Sequence, residues 1–213
     1  MERKVPFTKD EYYHIYSRGV EKRKIFISDK DRERFIALLY ILNQKDSFNL
    51  GNFLKNKKIN EIFSEDRGEK LVGIVSYCLM PNHFHILICE NIGGGISKFM
   101  SRLLTAYSMY FNIKFERSGP LFVRPFRSQH VSLDAHYAHL FNYIHFNPVK
   151  LAKSRIEAKD ILENYTFSSY KDFVEGNRPE TKILDLDLIP EDISRTPLDI
   201  NDYEQFKDIE YTD

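Results

Sequence analysis

Two apolar runs joined by a short turn constrain the fold of this chain more than any other feature. The first run covers residues 71–79 and the second covers residues 83–89, and both are rich in β-branched and aromatic side chains. The Met-Pro-Asn sequence at 80–82 is typical of a turn, because proline presets φ and asparagine tolerates turn conformations. The pattern predicts a β-hairpin over residues 71–90.

The rest of the chain alternates between short strands and amphipathic helices. Residues 12–17 alternate in polarity and are rich in aromatic side chains, which predicts a first strand. The further predicted elements are a helix from near Lys30 that Ser28 or Asp29 could cap, a helix over about Ile96–Phe111, a strand within Phe122–Val131 that Pro125 interrupts, and a helix from Ser132 or Asp134 to about Phe146. Residues 44–70 are polar, and we interpret them as an insertion loop with a weak helical patch at 59–63.

This order of elements predicts the fold class. A strand, a helix, two strands, a helix, a strand and a helix follow one another, which is typical of an α+β protein. We expect a ferredoxin-like (split βαβ) antiparallel sheet with helices packed on one of its faces. The expected organisation is one domain over residues 1–178, including the insertion loop, and an acidic C-terminal extension over 179–213.

Charge is divided unequally along the chain. Residues 1–156 carry 25 Lys or Arg and 15 Asp or Glu, whereas residues 157–213 carry 16 acids and 6 bases. The whole chain therefore has a formal net charge of zero although its larger part is basic. A basic body suits a polyanionic partner, or it only keeps the protein in solution, and charge alone does not decide between the two.

Membrane insertion and secretion are not expected. No apolar run approaches the ~20 residues that a membrane-spanning helix needs. The first six residues lack the apolar stretch of a signal peptide. Cys78 and Cys89 lie in apolar strand-like runs, where buried thiols are more common than a disulfide. We therefore expect a cytoplasmic protein.

The second apolar run begins with a pair of histidines. His83 and His85 are two residues apart on a predicted strand, so their side chains leave the same face of the sheet. Two imidazoles placed in this way can share one divalent cation. A His-x-His pair alone is nevertheless more common on a half-exposed strand without a metal, so a second observation is needed.

A second group of polar side chains lies on the last predicted helix. His139, Tyr143 and Asn147 are spaced four residues apart, so they form one stripe of that helix. Tyr143 offers a nucleophile and Asn147 a metal-binding oxygen, or Tyr143 packs in the core with its hydroxyl at the edge. Because Pro148 disfavours a helical backbone at residue 147, Gln129 or water could replace Asn147 as a ligand.

Five motifs in order along residues 7–175 resemble those of single-tyrosine HUH transposases, in particular the REP-associated tyrosine transposase branch. They are YHIYSRG at 13–19, MPNHFHIL at 80–87, GPLF with RPFRS at 119–128, YIHFNPVK at 143–150 and FSSY at 167–170. The resemblance implies an HUH endonuclease fold in which His83 and His85 bind the metal. It also implies that Tyr143 is the nucleophile and that Asn147 is the third ligand.

The resemblance further implies the reaction and the partner. It implies a transposase-like endonuclease and strand transferase that cleaves and rejoins single-stranded DNA through a 5′-phosphotyrosine intermediate. Hairpin or palindromic repeat ends are the expected DNA, and both a monomer and a homodimer fit. Mg²⁺ or Mn²⁺ is the expected cofactor, because imidazole, amide and water ligands suit a hard catalytic cation. The Arg-Pro pair at 124–125 departs from the family pattern, and the tail after residue 178 has no family motif.

Basic side chains are expected to contact the DNA. Glu116 is the one acid between residues 96 and 131, a segment that contains six Lys or Arg residues and interleaved aromatic residues. The expected contacts are Arg18, Arg102, Lys114, Arg117, Arg124 and Arg127. Aromatic residues such as Tyr107 and Phe111 could stack on unpaired bases, or they pack in the core.

Two other classes of function stay open. One is a non-catalytic protein that binds single-stranded or hairpin nucleic acid, and the other is an unrelated metal-dependent phosphoesterase. Neither class requires a tyrosine beside the metal site. A covalent protein–DNA adduct that depends on Tyr143 would therefore separate them from the transposase.

Overall fold

The computed structural model describes residues 6–132 and 135–190. Within these residues four strands form one antiparallel sheet in the order β2-β3-β1-β4. The strands are β1 (Tyr12–Arg18), β2 (Val72–Met80), β3 (His83–Glu90) and β4 (Arg127–Val131). The predicted hairpin is confirmed as β2 and β3, and the strand order is that of a ferredoxin-like fold.

Helices connect the strands and follow the last one. The α-helices in the described part are α1 (Asp29–Ile41), α2 (Leu50–Asn56), α3 (Gly95–Lys114), α4 (Ala135–Phe146), α5 (Arg155–Asn164) and α6 (Tyr170–Val174). Short 3₁₀ turns occupy Val20–Lys22, Ile59–Ser64, Asn147–Leu151, Pro179–Ile183 and Leu186–Leu188. Among the described residues, no helix is long and apolar enough to cross a lipid bilayer.

Helices cover both faces of the sheet, so the expectation that they pack on one face is wrong. Phe84, Ile86 and Ile88 of β3 pack with α1 and α3 on the first face, which we call the α3 face. Leu87 and Cys89 pack with α4 and α5 on the second face, which we call the α4 face. All nine residues of β2 are buried, and a strand that is apolar on both sides needs a cover on each.

The interpretation of residues 44–70 as a loop is wrong at its centre. Residues 50–56 form α2, and the weak patch at 59–63 is confirmed as a 3₁₀ turn. Phe53, Ile62 and Phe63 are buried and join the core of the α3 face. These few apolar side chains suffice to dock a short helix, although the segment as a whole is polar.

The fourth strand is shorter than the sequence suggests, whereas the last predicted helix ends at Phe146 as expected. β4 begins only at Arg127, and Phe122 instead forms a single bridge with Gly19. Pro125 lacks a backbone N–H and cannot donate to a sheet ladder, which agrees with this late start. Of the two predicted caps of α4, Ser132 lies outside the helix and Asp134 lies outside the described residues.

The first part of the predicted C-terminal extension, residues 179–190, packs on the sheet. The backbone N–H of Asp185 donates to the carbonyl of Ile74 on β2 at 2.8 Å. Ile183 and Leu184 are buried on the α3 face, and Ile189 is buried on the α4 face. The chain therefore crosses the edge of the sheet beside β2.

Candidate active site

A pocket of about 570 Å³ opens on the α4 face where β1 ends and β3 begins. Its walls come from β1, β3, the loop before β4, and the end of α4. The lining residues are Tyr16, Ser17, Arg18, Lys22, Asn82, His83, His85, Val123, Pro125, Arg127, Tyr143, Asn147 and Lys150. The fold therefore brings His83, His85, Tyr143 and Asn147 together, although sixty residues separate the two groups in the sequence.

The two histidines of β3 leave the same face of the strand, with ring centroids 4.9 Å apart. Nδ1 of His83 lies 2.7 Å from Oδ1 of Asn82, and Nδ2 of Asn82 faces the carbonyl of Lys22 at 3.4 Å. Because an amide oxygen only accepts, Nδ1 of His83 carries the proton and Nε2 carries the lone pair. Nδ1 of His85 lies 2.8 Å from Nε2 of His14 on β1.

Both pocket histidines are neutral near pH 7. Burial, together with smaller effects of the nearby cations Lys150 and Arg18, lowers the pKa of His83 to about 4. Burial also lowers the pKa of His85 well below its usual value, with smaller effects from His14, His83 and Lys150. A neutral imidazole has one nitrogen lone pair, so each ring can bind a cation.

Tyr143 lies beside these rings near the end of α4. Its ring centroid is 5.5 Å from that of His85. Nζ of Lys150 lies 3.4 Å from the Tyr143 hydroxyl and 4.6 Å from the centre of the tyrosine ring. The ring of Tyr143 therefore lies against His85, and its hydroxyl lies close to a positive charge.

Asn147 follows directly after α4 and begins the 3₁₀ turn over 147–151. Pro148 thus ends the α-helix at Phe146, as the sequence predicts. Nδ2 of Asn147 donates to the carbonyl of Tyr143 at 2.9 Å, whereas the buried Oδ1 has no hydrogen-bond partner in the described part of the chain. A buried acceptor without a partner is costly, and a cation at Oδ1 would satisfy it.

These side chains fit a divalent metal. The available donors are two neutral imidazoles and one amide oxygen, a set that suits Mg²⁺ or Mn²⁺ with water in the remaining positions. Within residues 6–132 and 135–190, no three His, Cys, Asp or Glu side chains are grouped to hold a metal. Cys89 is buried on the same face of β3 but does not line the pocket.

The pocket has a strongly positive lining. Four cationic side chains line it, namely Arg18, Lys22, Arg127 and Lys150, and none of the described lining residues is Asp or Glu. A concave surface lined by one sign of charge concentrates ions of the opposite sign. The pocket is therefore suited to a phosphate group.

The six basic residues that the sequence predicts as DNA contacts do not lie together. Arg18 and Arg127 line the pocket, and Arg124 is exposed in the preceding loop without lining it. Arg102, Lys114 and Arg117 lie on or just after α3, on the other side of the sheet. The DNA contacts of all six stay predictions, but Arg18 and Arg127 alone among them lie at the candidate site.

The three basic residues of the α3 side bind other parts of the chain. The guanidinium of Arg102 donates to carbonyls of the loop after α1, the shortest of these bonds being 2.6 Å. Nζ of Lys114 lies 2.5 Å from the buried carboxylate of Asp31. Arg117 donates to the carbonyl of Pro120 at 3.1 Å. Each of these cationic side chains therefore forms contacts within the protein that stabilise a loop or a helix.

Sequence reasoning missed two residues that contact the predicted site. Lys150 lies in the motif around Tyr143, and the 3₁₀ turn after Pro148 carries it to the tyrosine hydroxyl. His14 lies in the first motif and contacts His85. By contrast, Gln129, the predicted alternative ligand, is exposed on β4 and does not line the pocket.

The chain is similar to known transposases. Residues 8–147 match the protein-family model described as IS200-like transposase, which is more than half of the 213-residue chain. The fold is similar to the solved structure of a REP-associated tyrosine transposase bound to a REP hairpin, with 12% sequence identity and a TM-score of 0.50. That similarity covers 84% of this chain and 89% of the other. No curated protein matches the sequence. The family match and the common fold bear out the resemblance seen in the motifs.

Proposed function

The chain belongs to the IS200-like transposase family, and we propose on this premise that it cleaves and rejoins single-stranded DNA through a covalent link to Tyr143. The observation that supports this most is the position of Tyr143 in a cationic pocket that both histidines also line, with its ring against His85 and its hydroxyl 3.4 Å from Nζ of Lys150. The proposed substrates are hairpin or palindromic repeat ends, since the similar solved structure contains a REP hairpin. The protein acts as a monomer or a homodimer.

The proposed cofactor is Mg²⁺ or Mn²⁺. Nε2 of His83, Nε2 of His85 and Oδ1 of Asn147 would hold the ion. When bound, it supplies Lewis-acid polarisation of the scissile phosphate and offsets the negative charge that develops there. Asn147 is suited to this position, because its Nδ2 fixes the amide against the Tyr143 carbonyl and leaves Oδ1 for a ligand.

The cleavage step is a transesterification at Tyr143. The tyrosine oxygen attacks the phosphorus and forms a bond to it, while the bond between phosphorus and the 3′ oxygen breaks. The phenol proton passes to solvent, and the departing 3′ oxygen takes up a proton from solvent, so the released strand ends in a 3′-hydroxyl. Rejoining reverses these events, so the bond energy is kept in the phosphotyrosine link.

Lys150 stabilises negative charge on the tyrosine oxygen during both cleavage and rejoining. Its ammonium group lies 3.4 Å from that oxygen, and a fixed positive charge stabilises negative charge that develops on a neighbouring atom. During cleavage it favours the attacking oxygen, and during rejoining it favours the departing phenolate.

Three other cations provide contacts to the DNA backbone. Arg18, Lys22 and Arg127 surround the pocket and can bind phosphates on either side of the scissile one. Tyr143 is only 2% exposed, so the scissile phosphate has to enter the pocket. The DNA backbone has to bend to place this phosphate in the pocket, and a flexible single strand bends more readily than a duplex. This supports single-stranded DNA as the substrate.

A denaturing gel tests the proposal. The protein is incubated with Mn²⁺ and an end-labelled single-stranded hairpin oligonucleotide, and we expect a covalent adduct that persists after denaturation. Tyr143→Phe should abolish the adduct. Tyr137→Phe is the matched control on the same helix, because Tyr137 is buried outside the pocket and its hydroxyl has no hydrogen-bond partner among the described residues.

The other outcomes identify other functions. An adduct that survives in Tyr143→Phe would contradict the role of this residue, and loss in Tyr16→Phe would assign the link to the other pocket tyrosine. Binding without cleavage would favour a non-catalytic nucleic-acid-binding protein. Cleavage without an adduct would favour a metal-dependent phosphoesterase.

A further inference from the structure

His14 is a buried polar residue that touches a proposed metal ligand without reaching the pocket. It is fully buried on β1, and its Nε2 lies 2.8 Å from Nδ1 of His85. The two rings are nearly parallel, with an angle of 21° and a centroid separation of 5.0 Å. We propose that His14 is a positioning residue, which accepts the Nδ1 proton of His85 and thereby keeps the Nε2 lone pair of His85 available to the metal. This inference rests on the metal site of the proposed function.

The strand register creates the contact. Antiparallel pairing of β1 and β3 places Tyr16 opposite His85 and His14 opposite Leu87. His14 and His85 are therefore diagonal neighbours on the α4 face, a spacing at which long side chains meet. Because both residues lie within the central strands, their rings have little freedom to move apart.

The direction of one hydrogen bond decides whether His85 can bind a cation. A bond between two neutral imidazoles contains one proton, which either ring can carry. Nδ1 of His85 and Nε2 of His14 are 2.8 Å apart and both rings are buried, so one proton lies between these two nitrogens. If His85 donates, its Nε2 has the lone pair. If His14 donates, the proton of His85 lies on Nε2, and that nitrogen cannot be a ligand.

His83 provides an internal comparison. Its Nδ1 donates to the amide oxygen of Asn82 at 2.7 Å, and an amide oxygen cannot donate in return. The proton of His83 is thus fixed on Nδ1 and the lone pair on Nε2. If both histidines bind one cation through Nε2, His85 needs the same proton position. Asn82 fixes this position for His83, and in the proposal His14 supports it for His85 by accepting the proton.

Partners of this kind orient metal ligands in many proteins, and their removal typically lowers metal affinity about ten- to a hundredfold. His14→Phe removes the acceptor and keeps a ring of similar size in the core. His14→Gln keeps an amide oxygen near the position of Nε2. We therefore expect weaker Mn²⁺ binding in His14→Phe and recovery of most of the affinity in His14→Gln.

The first test uses the metal-free protein. In the ¹⁵N spectrum of the histidine-labelled full chain, the ring-nitrogen shifts distinguish the two tautomers. We expect His83 and His85 to carry the proton on Nδ1 in the wild type. A proton on Nε2 of His85 would overturn the proposal, whatever the protein does with DNA.

The second test is titration of the full chain with Mn²⁺, followed by electron paramagnetic resonance of the free ion. His145→Phe is the matched control, because His145 is also buried and hydrogen-bonded, to Ser169 at 2.8 Å, but does not line the pocket. Affinities are compared for variants whose circular dichroism shows a folded protein. Unchanged Mn²⁺ affinity in folded His14→Phe, or an equal loss in His145→Phe, would overturn the proposal.

The two measurements separate the failure of this inference from that of the proposed function. If the wild type binds no Mn²⁺, the metal site itself is contradicted, and the role of His14 fails with it. If the wild type binds Mn²⁺ but His85 carries its proton on Nε2, the metal site stands and the role of His14 alone is wrong. If His14→Phe does not fold, the spectrum of the wild type and the affinity of His14→Gln still decide the result.

Discussion

The two faces of the sheet are buried to a similar degree, but they contain different kinds of side chain. On the α3 face, Ile15 and Ile86 lie in an apolar core. On the α4 face, the neighbouring residues of the same strands are His14 and His85, both buried as deeply as the isoleucines. Since successive side chains of a strand point to opposite faces, one strand supplies both environments. Burial stabilises the fold on the α3 face, whereas on the α4 face it also keeps the imidazoles neutral.

The largest expected effect comes from changing neighbouring residues of β3 to alanine. His85→Ala should slow adduct formation at least about a hundredfold, because it removes a ligand of a metal that supplies several kcal/mol of charge stabilisation. Ile86→Ala should cost about 2–5 kcal/mol in the free energy of unfolding, because it leaves a cavity in the α3 face. The measurements are the rate of adduct formation per folded molecule and urea-induced unfolding.

This pair of variants can break the comparison of the two faces. If folded Ile86→Ala loses adduct formation as strongly as His85→Ala, the chemistry depends on both faces. If His85→Ala mainly slows adduct formation and Ile86→Ala mainly lowers the free energy of unfolding, the two faces have separate roles.

The next effect concerns the positive charge at Tyr143. Lys150→Met should slow adduct formation about ten- to a hundredfold, because it removes the cation that stabilises the charged tyrosine oxygen. Lys153→Met, an exposed lysine three residues later, is the matched control and should leave the rate unchanged. The measurement is single-turnover adduct formation with the labelled hairpin. Equal rates in Lys150→Met and the wild type would exclude this role.

The buried histidines also make the α4 face sensitive to acid. Burial lowers the pKa of His14 and His145 to about 3 and that of His83 to about 4, well below the value of about 6.5 in an unfolded chain. Between these values the unfolded chain binds more protons than the folded one, so stability rises with pH. The contribution of the neutral histidines to stability is fully present above about pH 6.5. It is lost as the pH falls toward the pKa values of these histidines in the folded protein.

Urea unfolding of the metal-free protein at several pH values measures this loss. Each such histidine contributes at most about 1.4 kcal/mol per pH unit. His145→Phe should reduce the pH dependence of the free energy of unfolding by the amount that corresponds to about one proton taken up on unfolding. Burial raises the pKa of Asp172 to about 6, which acts in the opposite direction, but one carboxyl group is outnumbered by the histidines. Equal stability at pH 7.5 and pH 5.5 would contradict the neutral, buried state of these rings.

The smallest effects concern affinity for the hairpin. Arg18→Gln and Arg127→Gln should each weaken binding a fewfold and reduce the salt dependence by about one phosphate contact, because both residues line the pocket. Arg117→Gln should change the affinity less than about twofold, because its guanidinium binds a carbonyl near α3. Fluorescence anisotropy at two salt concentrations measures all three. A larger loss in Arg117→Gln would place DNA on the α3 side.

The periodicity of the sequence predicts most of the sheet and its main helices. The hairpin, β1, α1, α3 and α4 follow from apolar spacing and from turn and cap residues. The second helical layer does not, because histidines and tyrosines on β1 and β3 suggest an exposed face. Their burial depends on α4 covering them, which is a tertiary contact. The seven-residue helix α2 is not predicted either, because the segment around it is polar.

The site is predictable in its parts and not in its assembly. Strand alternation predicts that His83 and His85 share a face, and helical spacing predicts the stripe that contains Tyr143. That β3 and α4 meet depends on the packing of the whole domain. Lys150 reaches the tyrosine only through the turn after Pro148, and His14 reaches His85 only through the strand register. Charge counts along the chain are uninformative about α3, because its basic side chains have partners within the fold.

Peptide mapping of the covalent adduct identifies the residue that is linked to DNA. The wild-type adduct is digested with nuclease and trypsin, and the modified peptide is fragmented in a mass spectrometer. Tyr143 lies in the tryptic peptide over residues 128–150, and Tyr16 lies in the peptide over 10–18. We expect a nucleotide on Tyr143 of the first peptide. A nucleotide on Tyr137, on Tyr16 or on any other residue would contradict it.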